Sequence, residues 1–394
     1  VANNYAQARG IPSSNIIGLN FNPASYDSTS ISYGDFNNYN GTGLTMRQYV
    51  LNQLNNPNIQ GFILAFNQPA RVNACMSVVS AFAMDFNNAH CSGDLTNNPY
   101  FESSSLTPRT TYNYMPTMAL AGDSVSEATT YFNRGISADN SYPNGEVYLL
   151  TTRDNDRSQS RYSDFTTLEG VFNQSNLGTT HQVDPLYTGS GGQQIGCNST
   201  PSYPNSYLSG VNNVLGYHTG LTCVPSLSTL TFLPGAPADH LTSYGGWLPI
   251  TNPGDVQMPI SDWIENGATI ASGTVKEPWI VGGYTELGYK FPKASTFWKE
   301  YYTGATAVEA YQKSVRETGI TNFLGEPLAS PWKDPQITFS NNTLTINITH
   351  IKPGQTWKLQ SSTNGSTWSD VSGQTNITAP NGKYGLKTIT VTNA

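Results

Sequence analysis

Over roughly its first 333 residues the chain alternates short apolar runs with amphipathic stretches, and this rhythm constrains the fold more than any other feature. The runs Asn15 to Phe21, Ile59 to Phe66, Glu146 to Thr152, Asn213 to Tyr217, Leu227 to Leu233 and Ala268 to Val275 are apolar without strict alternation. That is the texture of strands buried on both faces of a mainly parallel sheet. Between them, Met46, Val50 and Leu54 recur at helical spacing behind a Thr45/Gln48 capping pattern. Val79, Phe82 and Phe86, and again Val308, Tyr311 and Val315, predict two more helices lying on the sheet. Strand, helix, strand in succession predicts an α/β domain over residues 1–333. The stretches at about 91–145 and 177–212 are rich in Ser, Asn, Tyr, Gly and Pro, and read as long loop insertions.

After Pro331 the texture changes. Residues 336–394 hold short, often alternating strands separated by Asn-Gly and Pro-Gly turns, which predicts a small antiparallel β-sandwich. Its segment WKLQSSTNGSTW is similar to the immunoglobulin-like and fibronectin-type modules of secreted proteins.

Only 11% of the 394 residues are charged, against about 25% in an average globular protein. The surface must therefore be neutral and hydrogen-bonding. The net charge is −7, and the 19 Lys and Arg form no cluster, which argues against nucleic acid or anionic lipid as a partner. Cys75, Cys91, Cys197 and Cys223 are even in number and lack the spacing of a zinc or dithiol site, so two disulfides are expected. Three pairings are open, and joining nearest neighbours closes the shortest loops. Disulfides on a neutral polar chain imply an oxidising setting, extracellular or at the cell surface. No apolar run reaches membrane-spanning length, and no leader opens the chain, so an export signal is expected to have been removed. Seven Asn-x-Ser/Thr sites, at Asn40, Asn173, Asn198, Asn341, Asn347, Asn364 and Asn376, are candidates for glycosylation.

Several strings resemble a family of uncharacterised secreted bacterial proteins that accompany the exosortase sorting system: ARGIPSSNIIGL (8–19), FILAFNQPARV (62–72), FLPGAPADHLTSYGG (232–246), GATIASGTVKEP (267–278), EAYQKSV (309–315) and GEPLASP (325–331). This chain departs from the family's pattern in having Val79 and Glu326 where the family has Asp. The resemblance implies fold and secretion; the family carries no assigned activity. A more distant similarity is to the caspase and gingipain-type cysteine peptidases, through LGYHTG (215–220) followed by FLPGAPADH (232–240). It implies a caspase-like, flavodoxin-like sheet with His218 in the place of the catalytic His. The loop that would carry the nucleophile, 234–243, has no Cys, so the dyad is broken. Cys223 lies close in sequence but on the wrong loop.

Ser243 with His240 or His218, and Asp239 as orienting carboxylate, supplies the residue types of a hydrolytic triad, without the G-x-S-x-G elbow that exposes a nucleophile. His90, His181 and His350 are scattered. Asp154, Asp156, Ser158 and Ser160 alternate as in a calcium loop but lack its Gly and closing Glu. No metal or cofactor is expected.

The resemblance places a buried first strand before the ARGIP helix, and this chain starts inside that helix. A strand borrowed from a neighbouring copy would fill such a gap, and KTITVTNA (387–394) has the alternation of a donor. Two functions compete. One is an extracellular structural or assembly protein, a non-catalytic caspase-like scaffold that associates with copies of itself, possible filaments included, or with cell-surface glycan. The other is a secreted hydrolase using His218 with Ser243.

Overall fold

The computed structural model describes residues 1–392 apart from 21–28, 55, 67, 88–96, 123, 190–194, 198–205, 248–256 and 280–282. Eight strands form its main sheet: β1 (Phe62–Leu64), β2 (Thr117–Ala119), β3 (Glu146–Thr151), β4 (Gly178–Val183), β5 (Val214–Thr219), β6 (Pro237–His240), β7 (Ile270–Thr274) and β8 (Thr321–Gly325). Their order is β1-β2-β8-β7-β6-β5-β3-β4. Every neighbouring pair is parallel except β7 and β8, so β1, β2 and β8 run against the other five.

The helices start where the sequence offers caps. Helix α1 (Ala2–Arg9) precedes the first strand. Thr45 and Gln48 form a reciprocal capping box at the start of α2 (Met46–Gln53), and Ser77 caps α3 (Val78–Met84). Ser124 caps α4 (Val125–Ala138), and Asp154 caps α5 (Asn155–Val171). Helix α6 (Ala294–Tyr302) is followed by α7 (Ala307–Ser314), which opens on a Thr306/Glu309 box. Each such cap contributes about 1 kcal/mol by satisfying otherwise orphaned N–H groups.

Helices cover both faces. In β1, Phe62 meets Phe82 of α3 edge-on, while Ile63 on the opposite face packs with Tyr5 of α1 and Phe132 of α4. Glu326, just past β8, is buried and holds α1 in place through Tyr5 and a paired Arg9, whose Nη2 lies 2.8 Å from its carboxylate. Gly135 of α4 leaves room for the Glu326 stem.

Several expectations are corrected. Asn15 ends a 3-10 turn (Ser13–Asn15), residues 16–20 are irregular chain, and Phe21 lies outside the described residues. Leu227 to Leu233 holds a 3-10 turn and one bridge, Val214 to Phe232, because the place beside β5 is taken by β6. The stretch 91–145 is not loop throughout, since it supplies β2 and α4, and 177–212 begins with β4. Phe86 and Val315 fall just beyond their helices. No gap awaits a borrowed strand either: β8 lies between β2 and β7 and makes the sheet continuous within one chain. Of the expected donor, 387–394, Lys387–Thr392 is already paired with its own neighbour, and the last two residues lie outside the described ones.

That neighbour belongs to a separate antiparallel sheet of β9 (Gln336–Ser340), β10 (Thr343–Ile348) and β11 (Lys387–Thr392), joined in the order β9-β10-β11. Asn341 and Asn342 both take positive φ, the requirement of a tight two-residue hairpin. Two short two-stranded ladders accompany it, and Ile348, Ile351, Ile377, Ala379 and Ile389 form its own small core. Trp332, in the connection, is buried against Trp298, Tyr301 and Tyr302 of α6.

Gly216 of β5 decides where α6 lies. A Cβ there would sit 2.5 Å from the Trp298 ring, so only glycine lets the indole rest on the strand. Gly216→Ala is expected to destabilise the protein by about 1–3 kcal/mol through overpacking, measured by urea unfolding; an unchanged midpoint would show that the indole is not seated there.

Candidate functional site

In open α/β sheets ligands gather at the carboxyl ends of parallel strands, and here that edge is built from the ends of β3, β5, β6 and β7. Register places His218 beside Asp239, and Asp239 beside Ser272. Because side chains alternate along a strand, Asp239 and His240 point to opposite faces.

On one face, Asp239 is fully buried between two partners. Arg161 of α5 brings its Nη1 to 2.6 Å from one carboxylate oxygen, and His218 Nδ1 lies 3.1 Å from the other. Burial alone would raise the Asp239 carboxyl, but Arg161 and His218 together hold it well below the usual range. Arg161 also donates to the Thr219 carbonyl at 2.9 Å and lies over the Phe165 ring. The Trp298 indole N–H donates to His218 Nε2 at 3.0 Å. Nε2 therefore carries no proton, Nδ1 does, and it faces Asp239. His218 is fully buried, so neither ring nitrogen is open to solvent.

The other face repeats the device. The Trp263 indole N–H donates to His240 Nδ1 at 2.9 Å, and His240 Nε2–H donates to the Met258 carbonyl at 2.9 Å. Burial pushes His240 down to about 4, against the pull of that carbonyl. Ser243 is mostly buried, its carbonyl accepts from the Thr274 hydroxyl at 2.9 Å, and among the described residues no hydrogen bond joins its side chain to His218 or His240. The structure thus brings His218 and Asp239 together but leaves His240 on the opposite face and Ser243 unconnected to either imidazole.

Side chains just past β3 and β4 are bonded to neighbouring segments. Thr152 Oγ1 donates to the Gly220 carbonyl at 2.8 Å. Asp154 accepts from Arg157 and from the Ile195 N–H, and Asp184 accepts from Arg153, Ser206 and the Leu186 N–H, which ties Leu186, Ile195 and Ser206 to these two carboxylates. Cys197 and Cys223 form a disulfide with Cα atoms 5.0 Å apart, the nearest-neighbour pairing expected. Cys75 is buried and is not a free thiol; Cys91, His90 and Asn198 lie outside the described residues. Asp154 and its neighbours begin α5, so the calcium-like alternation is helix sequence, and among the described residues no cluster of metal-ligating side chains occurs. His181 makes a 2.8 Å hydrogen bond with Thr151. Of the sequons, Asn40, Asn341, Asn364 and Asn376 are exposed, Asn173 accepts from Ser175, and Asn347 accepts from Thr388. Among the described residues no helix is long and apolar enough to cross a membrane.

Arg161 and the two tryptophans escape a reading confined to catalytic residue types. A signal for Arg161 exists: Ser158, Arg161, Phe165 and Leu168 form one helical stripe, and an Arg in a buried stripe needs an acid.

No family model matches the chain, and no curated protein does. Among solved structures, one titled "Structure of Protease" is similar at a TM-score of 0.28 and 14% identity, covering 59% of this chain and 62% of that one. So slight a likeness bears on neither fold nor activity.

Removing the guanidinium should strand a buried carboxylate: Arg161→Met is expected to cost about 3 kcal/mol or more, measured by chemical denaturation, and a neutral result would exclude the ion pair. His240 protonates near pH 4 in the fold but near its ordinary 6.5 in the unfolded chain. Between those values the unfolded state holds more protons, so stability is full above pH 6.5 and falls as pH drops toward 4, by up to roughly 3 kcal/mol. Glu317, pushed up to about 7 by burial, titrates there in the opposite sense, so the comparison must be with a variant. His240→Gln, which keeps one donor and one acceptor, should show the flatter stability profile between pH 7 and 4; parallel profiles would refute the buried neutral imidazole.

Proposed function

We propose that this chain is an exported, non-catalytic assembly protein: a caspase-like α/β body whose ligand edge has become sealed core, carrying an immunoglobulin-like module. The observation that carries this reading is the full burial of His218, with its Nε2 accepting from the Trp298 indole and its Nδ1 3.1 Å from the Asp239 carboxylate. A general base must reach the proton it abstracts, and freeing His218 Nε2 would leave a buried indole donor unpaired. The Cys197–Cys223 disulfide fits an extracellular or cell-surface location. A surface with few charges lets copies pack without strong repulsion, and the exposed Asn40, Asn341, Asn364 and Asn376 are the acceptors on which glycosylation would fall.

The test is direct. The full chain should resist labelling by a fluorophosphonate probe and should not turn over a panel of ester and peptide substrates. Turnover or labelling that disappears in Ser243→Ala would overturn the reading in favour of a hydrolase.

A further inference from the structure

Strand β9 lies at one edge of the carboxyl-terminal sheet and, among the described residues, pairs only with β10. The opposite edge, β11, is partly covered, since Gln374 Nε2 donates to the Thr390 carbonyl at 3.2 Å. Edge strands are ordinarily protected by charge, proline or a bulge. β9 has none of these: it reads Gln-Ile-Thr-Phe-Ser, and its register with β10 runs unbroken from Gln336 to Ser340. Its apolar residues are unusually open, with Ile337 63% and Phe339 61% exposed.

The two faces of this sheet differ sharply. Ile337, Ile346 and Ile389 stand in one row across the three strands, and Phe339, Leu344 and Val391 in the next. On the other face the rows are Gln336, Asn347 and Thr388; Thr338, Thr345 and Thr390; and Ser340, Thr343 and Thr392. The small core covers the apolar face at Ile346 and Ile389 but leaves its β9 end bare.

We propose that Gln336–Ser340 pairs antiparallel with the same strand of a second copy, about a two-fold axis through Thr338, to make one six-stranded sheet. The strand is complementary to itself. In that register Ile337 of each copy stands opposite Phe339 of the other, and Thr338 opposite Thr338, so apolar rows continue on one face and hydroxyl rows on the other. Residues 336–349 contain no charged side chain, so two copies meet across the axis without like-charge repulsion. A partner of different sequence would gain the same backbone hydrogen bonds but not this matching of faces. The inference rests on the assembly reading and names its contact surface.

The experiment is sedimentation of the full chain over a wide concentration range, alongside Ile337→Lys/Phe339→Lys. A control, Leu106→Lys/Val125→Lys, adds the same charges at exposed positions of the α/β body. The wild type and control should dimerise with rising concentration, and the β9 variant should remain monomeric with an unchanged circular dichroism spectrum. If the lysines disturb folding, Ile337→Thr/Phe339→Thr keeps strand propensity and should weaken dimerisation at least about tenfold. A wild type that stays monomeric, or β9 variants that associate as the wild type does, would overturn the pairing. Either result leaves the non-catalytic reading standing if the chain is inert to the hydrolase probe, and labelling of Ser243 would sink that reading whatever the assembly state.

Discussion

A carboxylate inside a sheet must be neutralised by groups that are themselves held in place, and Asp239 imposes that requirement on this fold. Its two partners come from different elements, Arg161 from α5 and His218 from β5. Arg161 reaches Asp239 only if α5 lies at one rotation against β3 and β5, with Phe165 beneath the guanidinium. That rotation sets Asp154 at the helix start, where it accepts from the Ile195 N–H and anchors the insertion. The bond from Ile195 to Asp154 thus depends on the same helix rotation that pairs the buried charge. Such a pair is weak evidence for stability, since desolvation offsets much of the attraction, but removing one member leaves the other costly.

The two histidines show the same logic on opposite faces. A buried neutral imidazole needs one donor and one acceptor supplied to it, and a buried indole needs an acceptor. Pairing Trp298 with His218 and Trp263 with His240 satisfies both requirements at once. The arrangement resembles a catalytic centre in composition, since it joins His and Asp at the ends of parallel strands. In this arrangement the imidazole Nε2 accepts from the Trp298 indole.

How much of this was legible depends on how local the cause was. Helix α2 announces itself through a capping box and apolar spacing, α7 through apolar spacing alone, and β3, β5 and β7 through apolar runs. Strand β6, Pro-Ala-Asp-His, does not read as a strand, because what holds it there is an ion pair to a helix about eighty residues earlier in the chain. Strand β4, Gly-Thr-Thr-His-Gln-Val, is polar because it lies at the sheet edge. Leu227 to Leu233 has strand composition but lies where β6 already occupies the hydrogen-bonding position. Sequence offers Asp239 as an orienting carboxylate for either His218 or His240, whereas Trp298, which bonds His218, is placed by Gly216, a residue that carries no chemistry.

The body and the carboxyl-terminal module solve the problem of polar groups in different ways. The body encloses charge and consumes it internally, so its stability is tied to protonation. The β9-β10 hairpin contains no ionisable side chain, and its polar face is a grid of hydroxyls and amides. Acid that unseats the ion pairs of the body does not act directly on that grid. What the module leaves unsatisfied is instead backbone at the β9 edge and two bare apolar side chains beside it, both of which another strand can satisfy. The pairing we propose for β9 therefore draws on backbone and apolar side chains, not on the charged groups that the body has paired internally.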